Sequence, residues 1–193
     1  MKTFFIVPGF RQDPRSRSFK WLKDFLTKKG FRVVIVPITW DRRVMSDHVK
    51  EFCMIYHTEK SNVNYVLGFS YGAVATLMTA NQLKPKKIFL CSLSPDFRED
   101  FSAMRPWIRR YIGMNRVKDL KKRSAVAIAK TLKVPSVVFY GEAEGKKYPQ
   151  LKKRCTETAM LAKKSKLVVV KDAPHAVYHP EYQRALKAEL GKL

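Results

Sequence analysis

Six short apolar runs recur along the chain: TFFIVP from Thr3, RVVIVPI from Arg32, NYVLGF from Asn64, KKIFLCSL from Lys86, PSVVFYG from Pro135 and KLVVVKD from Lys166. Each is too brief for a helix, rich in Val, Ile or Phe, and bounded by Gly, Pro or polar residues. Such runs read as strands buried on both faces. Between them the apolar residues return at helical spacing: Phe19, Leu22 and Leu26 before Gly30; Val44, His48, Phe52 and Ile55; Ala73, Leu77 and Ala80; Leu151, Cys155, Ala159 and Ala162; Tyr182, Leu186 and Leu190 after Pro180. Regular alternation of strand and helix predicts a doubly wound α/β fold with a six-stranded, mostly parallel sheet. At 193 residues the chain is expected to form one domain, 1–193. One stretch breaks the rhythm. About forty residues between Leu93 and Val134 hold no strand candidate, which is too long for a bare connection. There Phe97, Phe101 and Met104 share a helical face, Pro106 forces a new start, and Trp107, Ile108 and Tyr111 follow. This predicts a small helical cap, inserted at about 95–133, over the carboxyl edge of the sheet.

Composition narrows the classes of function. The chain carries 39 Lys and Arg against 16 Asp and Glu, a formal charge of +23, and is 46% hydrophobic. It can fill a core, and its field attracts anions. The basic residues are spread over the polar faces of the expected helices, as in KWLKDFLTKKG and LKKRCTETAMLAKKSK, and no nucleic-acid-binding motif accompanies them. Binding to nucleic acid or an anionic membrane surface is therefore not the favoured reading. No apolar run approaches the roughly 20 residues of a membrane span, and MKTFFIVPGF is read as a first strand rather than an export signal. Cys53, Cys91 and Cys155 are isolated and odd in number, which points to reduced thiols in a cytoplasmic protein. GEAEGKKY lacks the spacing of a phosphate-binding loop, and HAVYH lacks the Glu of a zinc-protease helix. No G-x-G-x-x-G follows the first strand. Neither a metal nor a cofactor is expected. Oligomeric state is left open.

The third run flows into Gly68-Phe69-Ser70-Tyr71-Gly72, a G-x-S-x-G placed where a strand becomes a helix. In that context it reads as a nucleophile elbow, a sharp turn that lifts the serine from the carboxyl end of the sheet. Gly68 and Gly72 relieve the crowding between strand and helix. A serine hydroxyl needs a base to take its proton. His175 lies in the loop after the last strand and can reach Ser70. His179 precedes Pro180 at a helix start, His48 belongs to an apolar helix face, and His57 sits at the polar end of that helix. A carboxylate must hold the imidazole, and Glu142, Glu144 and Asp96 are the candidates. The backbone N–H of Tyr71, directly after the serine, can stabilise an oxyanion.

The elbow, the order serine, acid, histidine, and the alternating β/α units together resemble the serine α/β-hydrolase superfamily, here a small single-domain, esterase-like member with a minimal form of the fold. The likeness spans nearly the whole chain. It implies the acid at G-x-x-D, which Gly141-Glu142-Ala143-Glu144 matches with Glu in place of Asp, and so favours Glu144. It also implies a second oxyanion donor in the N–H of Phe10, where Pro8-Gly9-Phe10 replaces the usual H-G. The implied activity is cofactor-independent hydrolysis of carboxylic esters, thioesters or lactones through an acyl-enzyme. Phe97, Phe101, Trp107 and Tyr111 would line the substrate pocket, while Arg11, Arg105, Arg109 and Arg110 could attract an anionic substrate. The competing expectation is a catalytically silent scaffold that binds anionic partners.

Overall fold

Every one of the six runs forms a strand in a computed structural model that describes residues 1–14 and 16–193: β1 (Lys2–Val7), β2 (Phe31–Ile35), β3 (Val63–Phe69), β4 (Lys87–Cys91), β5 (Ser136–Gly141) and β6 (Ser165–Val170). The order across the sheet is β2-β1-β3-β4-β5-β6, and all neighbouring pairs are parallel. The sheet is thus more regular than the mostly parallel arrangement expected. Burial on both faces holds for the four inner strands and fails for the two at the edges. β2 and β6 have a neighbour on one side only and are partly exposed, Val169 by 48%.

Alternation along the strands feeds two cores. Phe5, Val7 and Val66 point to the face covered by α2 (Met45–Glu59), α3 (Tyr71–Leu83) and α8 (Pro149–Leu161). Phe4, Ile6, Tyr65 and Leu67 point to the face covered by α1 (Arg17–Lys28) and α9 (Pro180–Leu190). Phe19, Leu22, Leu26, Tyr182, Leu186 and Leu190 are fully buried on that side, as their spacing predicts. In α2 the buried set is Met45, His48, Phe52 and Tyr56, so the apolar stripe is offset by one residue at each end from the expected one. No helix among the described residues is long and apolar enough to cross a membrane.

The segment between β4 and β5 contains α4 (Pro106–Ile112), α5 (Met114–Lys121) and α6 (Ala125–Thr131). The helical face expected at Phe97, Phe101 and Met104 is not formed; a single 3-10 turn, Arg98–Asp100, stands in its place. The Asp100 carboxylate accepts from the Phe97 N–H at 3.1 Å and pairs with Arg154 Nη2 at 2.6 Å. Arg154, on α8, is 1% exposed and also binds Glu157 at 2.7 Å. This pair bends the chain away from a helix and ties the connection after β4 to α8.

The β3–α3 turn is among the tightest places in the fold. A Cβ on Gly68 would lie 2.4 Å from the Gly72 carbonyl oxygen and 2.6 Å from Ala73 Cα. One on Gly72 would lie 2.0 Å from the Val7 carbonyl oxygen. All are backbone atoms that cannot step aside, so strand, helix and the end of β1 meet at a separation only glycine permits.

Two outcomes follow for stability, both read by urea unfolding. Gly72→Ala forces β1 and α3 apart and is expected to cost ~3 kcal/mol. Asp100→Asn leaves the Arg154 charge buried without a full partner and is expected to cost about 3–5 kcal/mol, whereas Glu181→Gln, which breaks the exposed Arg184 pair, should leave the midpoint unchanged.

Candidate active site

Ser70 stands directly before α3 with φ 56° and ψ −117°, a positive-φ conformation rarely held by a residue with a side chain. The backbone around it explains how this is sustained. Ser70 N–H donates to the Cys91 carbonyl at 2.8 Å, and Ala73 N–H donates to the Ser70 carbonyl at 3.0 Å. A Cβ on Gly9 would come within 3.1 Å of Ser70 Cβ, so the loop after β1, with Phe10, runs directly beside the serine.

His175 and Glu144 arrive from two other strands. Glu144 lies on α7 (Glu142–Lys147), a short helix that starts directly after β5 rather than a loop. Its N–H donates to the Ala173 carbonyl at 3.1 Å, and a Cβ on Gly141 would lie 2.0 Å from that same oxygen. The loop after β6 is thereby laid against the start of α7, which carries His175 to Glu144. His175 Nδ1 and Glu144 Oε1 are in direct hydrogen-bond contact, and His175 Nε2 lies 3.2 Å from Ser70 Oγ. The imidazole packs on the Phe69 ring at 4.9 Å. Ser70 is 8% exposed and Glu144 1%, while the His175 side chain is 35% exposed. A hydroxyl, an imidazole and a carboxylate are therefore connected in series, with the imidazole the most exposed of the three, an arrangement able to move a proton off the hydroxyl.

The other candidates lie elsewhere. Glu142 is half-buried and pairs with Lys146 at 3.0 Å. Asp96 is held by Arg123, whose Nε donates to the Asp96 carbonyl at 2.7 Å and whose Nη1 reaches Asp119 at 2.5 Å. Burial pushes the Asp96 carboxyl up to about 6 against the pull of Arg123. His179 stands at the N-cap position of α9 without a side-chain capping bond, His57 is exposed on α2, and His48 is buried against the Trp40 ring at 4.4 Å.

Three side chains that sequence reasoning did not single out complete the cluster. Ser94 Oγ lies 3.1 Å from Ser70 Oγ. Ser92 Oγ donates to Glu144 Oε2 at 2.9 Å and lies 3.0 Å from the Tyr182 hydroxyl. The Gly141 N–H gives the same carboxylate oxygen a second donor at 2.9 Å. A signal for the serines was present, since SLSP directly follows β4 at the edge where Ser70 emerges. Tyr182 carried none, because its ring belongs to the apolar stripe of α9.

One cavity borders this cluster and a second adjoins the first. The larger, about 660 Å3, is bordered by Ser70, Ser94, Arg105, Tyr148 and His175. The smaller, about 300 Å3, is bordered by Phe10, Trp40, His48, Asp96 and Arg116. Tyr71, Trp107 and Ile108 border both. Of the residues expected to line a pocket, Trp107 does so in both cavities and Tyr111 in the smaller one. Phe97 does not: it is fully buried in the core under Arg154, at 5.7 Å. Phe101 also lies off both cavities, its ring covered by Arg109 at 4.3 Å and Lys121 at 4.2 Å. The lost helix at 97–104 turned both rings away. Arg11 pairs with Asp41 at 3.1 Å in solvent.

The sequence matches no protein-family model and no curated protein. Solved structures do resemble it. Est1E from Butyrivibrio proteoclasticus superposes with a TM-score of 0.77 at 14% identity, over 99% of this chain and 87% of that one. Alpha/beta hydrolase domain-containing protein 10 from mouse gives 0.79 at 10% identity, over 98% and 88%. An esterase from Pyrococcus furiosus gives 0.69 at 16% identity, over 99% and 80%. With the strand order and the β3–α3 turn described above, these likenesses show that the chain has the α/β-hydrolase fold.

Proposed function

We propose that this protein is a serine hydrolase that cleaves carboxylic esters, with thioesters and lactones open to the same chemistry, through an acyl-enzyme formed on Ser70. The observation that carries the reading is the unbroken series of contacts from Glu144 to His175 to Ser70 Oγ. Ser70 Oγ attacks the substrate carbonyl carbon as His175 Nε2 takes its proton, and the Glu144 carboxylate stabilises the imidazolium that results. Negative charge on the carbonyl oxygen is met by the backbone N–H groups of Phe10 and Tyr71. The intermediate collapses when His175 returns the proton to the departing alcohol oxygen. Water then repeats the sequence on the acyl-enzyme and frees Ser70. Segment 95–133 acts as the cap that encloses the substrate.

The surrounding hydrogen bonds support the assignment of roles. Glu144 Oε2 is fully engaged by Gly141 N–H and Ser92 O–H, which leaves Oε1 aimed at His175 and fixes the imidazole tautomer with a proton on Nδ1. Ser94 Oγ, 3.1 Å from Ser70 Oγ, can donate to it when the Ser70 O–H points to His175. The fold is also that of an esterase, although fold alone does not assign chemistry.

A fluorophosphonate probe tests this directly: the wild type is expected to be labelled and Ser70→Ala not at all. Absence of labelling in the wild type, or labelling that survives the substitution, overturns the reading in favour of a scaffold that binds without turnover. In assays on activated short-chain esters, Glu144→Gln, which presents the wrong hydrogen-bond pattern to His175, is expected to lower kcat roughly a thousandfold to ten-thousandfold. Ser94→Ala removes one hydrogen bond, about 1 kcal/mol, and should lower kcat roughly fivefold.

A further inference from the structure

We propose that the smaller cavity is the acyl subsite and that Arg116 makes it selective for an acyl group ending in a carboxylate, so that the preferred substrates are monoesters of short dicarboxylic acids. This rests on the serine-hydrolase reading, which also dictates which end of the substrate goes where. The leaving oxygen must receive its proton from His175, so the alcohol part belongs on the His175 side, in the larger cavity. The smaller cavity borders neither Ser70 nor His175 but adjoins the larger one at Tyr71, Trp107 and Ile108, and it is lined by Phe10 and Tyr71, the two residues whose main-chain N–H groups would hold the carbonyl oxygen. The remaining substituent of the carbonyl carbon extends there.

The walls of this cavity are aromatic. Phe10 lies 5.8 Å from the Trp40 ring and 5.6 Å from the Tyr71 ring. Its charged residues differ in how far they are already satisfied. Arg43 pairs with Glu51 at 3.2 Å, and Arg123 is consumed by Asp96 and Asp119. Among the described residues lining the cavity, Arg116 is the guanidinium without a carboxylate partner. It is held from behind: Nε donates to the Arg43 carbonyl at 3.1 Å, Nη2 donates to the Trp40 carbonyl at 3.3 Å, and the group lies over Phe10 at 5.5 Å. These contacts fix the fork while leaving N–H groups unused, the geometry in which arginine binds a carboxylate by two parallel bonds. Against the Trp40 ring of this aromatic wall, His48 is 3% exposed and its Nδ1 has no hydrogen-bond partner. Burial lowers its pKa to about 4, so at neutral pH it offers polar nitrogen without charge. A volume of about 300 Å3 suits a short chain.

The test uses Ser70→Ala protein titrated with monomethyl glutarate and with methyl pentanoate, its uncharged counterpart, and read by tryptophan fluorescence, since Trp40 and Trp107 border the cavity. The monoester of the diacid is expected to bind at least about tenfold more tightly, and Arg116→Gln in the same background should bring the ratio close to one. Equal affinities, or a ratio that persists in Arg116→Gln, overturn the proposal; persistence would mean that the overall positive field, not a site, attracts the anion. If Arg116→Gln does not fold, Arg116→Lys keeps the charge and loses the fork, and the ratio is expected to fall to an intermediate value; an unchanged ratio overturns the proposal. Proton release by the wild type separates the two readings. Selective binding with no turnover of either ester leaves the carboxylate site and removes the hydrolase, whereas turnover of both with equal kcat/KM and equal affinity removes the carboxylate site and leaves the hydrolase.

Discussion

The close approach of α3 to the ends of β1 and β3 is the constraint on which the rest depends. Gly72 sits so near the Val7 carbonyl that a single methyl group would overlap it. With the helix start pressed against the strand ends, the intervening residue has no room for ordinary backbone angles, and Ser70 takes φ 56°. A conformation of this kind costs of the order of 1–3 kcal/mol and persists only when its surroundings impose it. Here they do, through the bonds from Ser70 N–H to Cys91 and from Ala73 N–H to Ser70. The same confinement that strains the serine also directs its hydroxyl toward the loop bearing His175.

Strain is gathered along one edge. Arg11, Ser70, Ser92 and Asp172 all have positive φ, and each lies a few residues at most beyond the carboxyl end of β1, β3, β4 or β6. Ser92 shows the return on this. Its turn points Oγ at Glu144, whose carboxylate is almost wholly out of water and would be untenable without donors. Gly141 N–H, Ser92 O–H and His175 meet that need together, and Tyr182 braces Ser92 from α9. A fully satisfied buried network holds one geometry well. It also explains how a glutamate, longer than the aspartate expected at this place, is accommodated: the start of α7 folds the extra length back under its own N-terminus.

The formal charge of +23 is a poor guide to chemistry until the charges are sorted by partner. The most deeply buried cations are neutralised, Arg154 by Asp100 and Glu157, and Arg123 by Asp96 and Asp119. Most of the remainder lies on exposed helix faces, where solvent and salt weaken it. Arg116 stands apart because main-chain carbonyls, not a carboxylate, hold it beside a cavity.

The sequence by itself determined the alternation of strand and helix, the parallel sheet, the turn at Gly68 and Gly72, and the faces of α1, α3 and α9, because each depends on residue spacing over fewer than twenty positions. It went astray at residues 97–104, where a helical stripe gave way to a turn, since the deciding interaction was Asp100 with Arg154, far along the chain and invisible to local periodicity. It could narrow the carboxylate to Glu142, Glu144 or Asp96 but could not rank their distances to His175. Only the tertiary structure decided that Glu144 meets the imidazole, that Ser92 and Ser94 join the cluster, and that Phe97 turns into the core. These outcomes depend on how the ends of separate strands align across the sheet, and that alignment is set by packing between segments whose order in the chain says nothing of their separation in space.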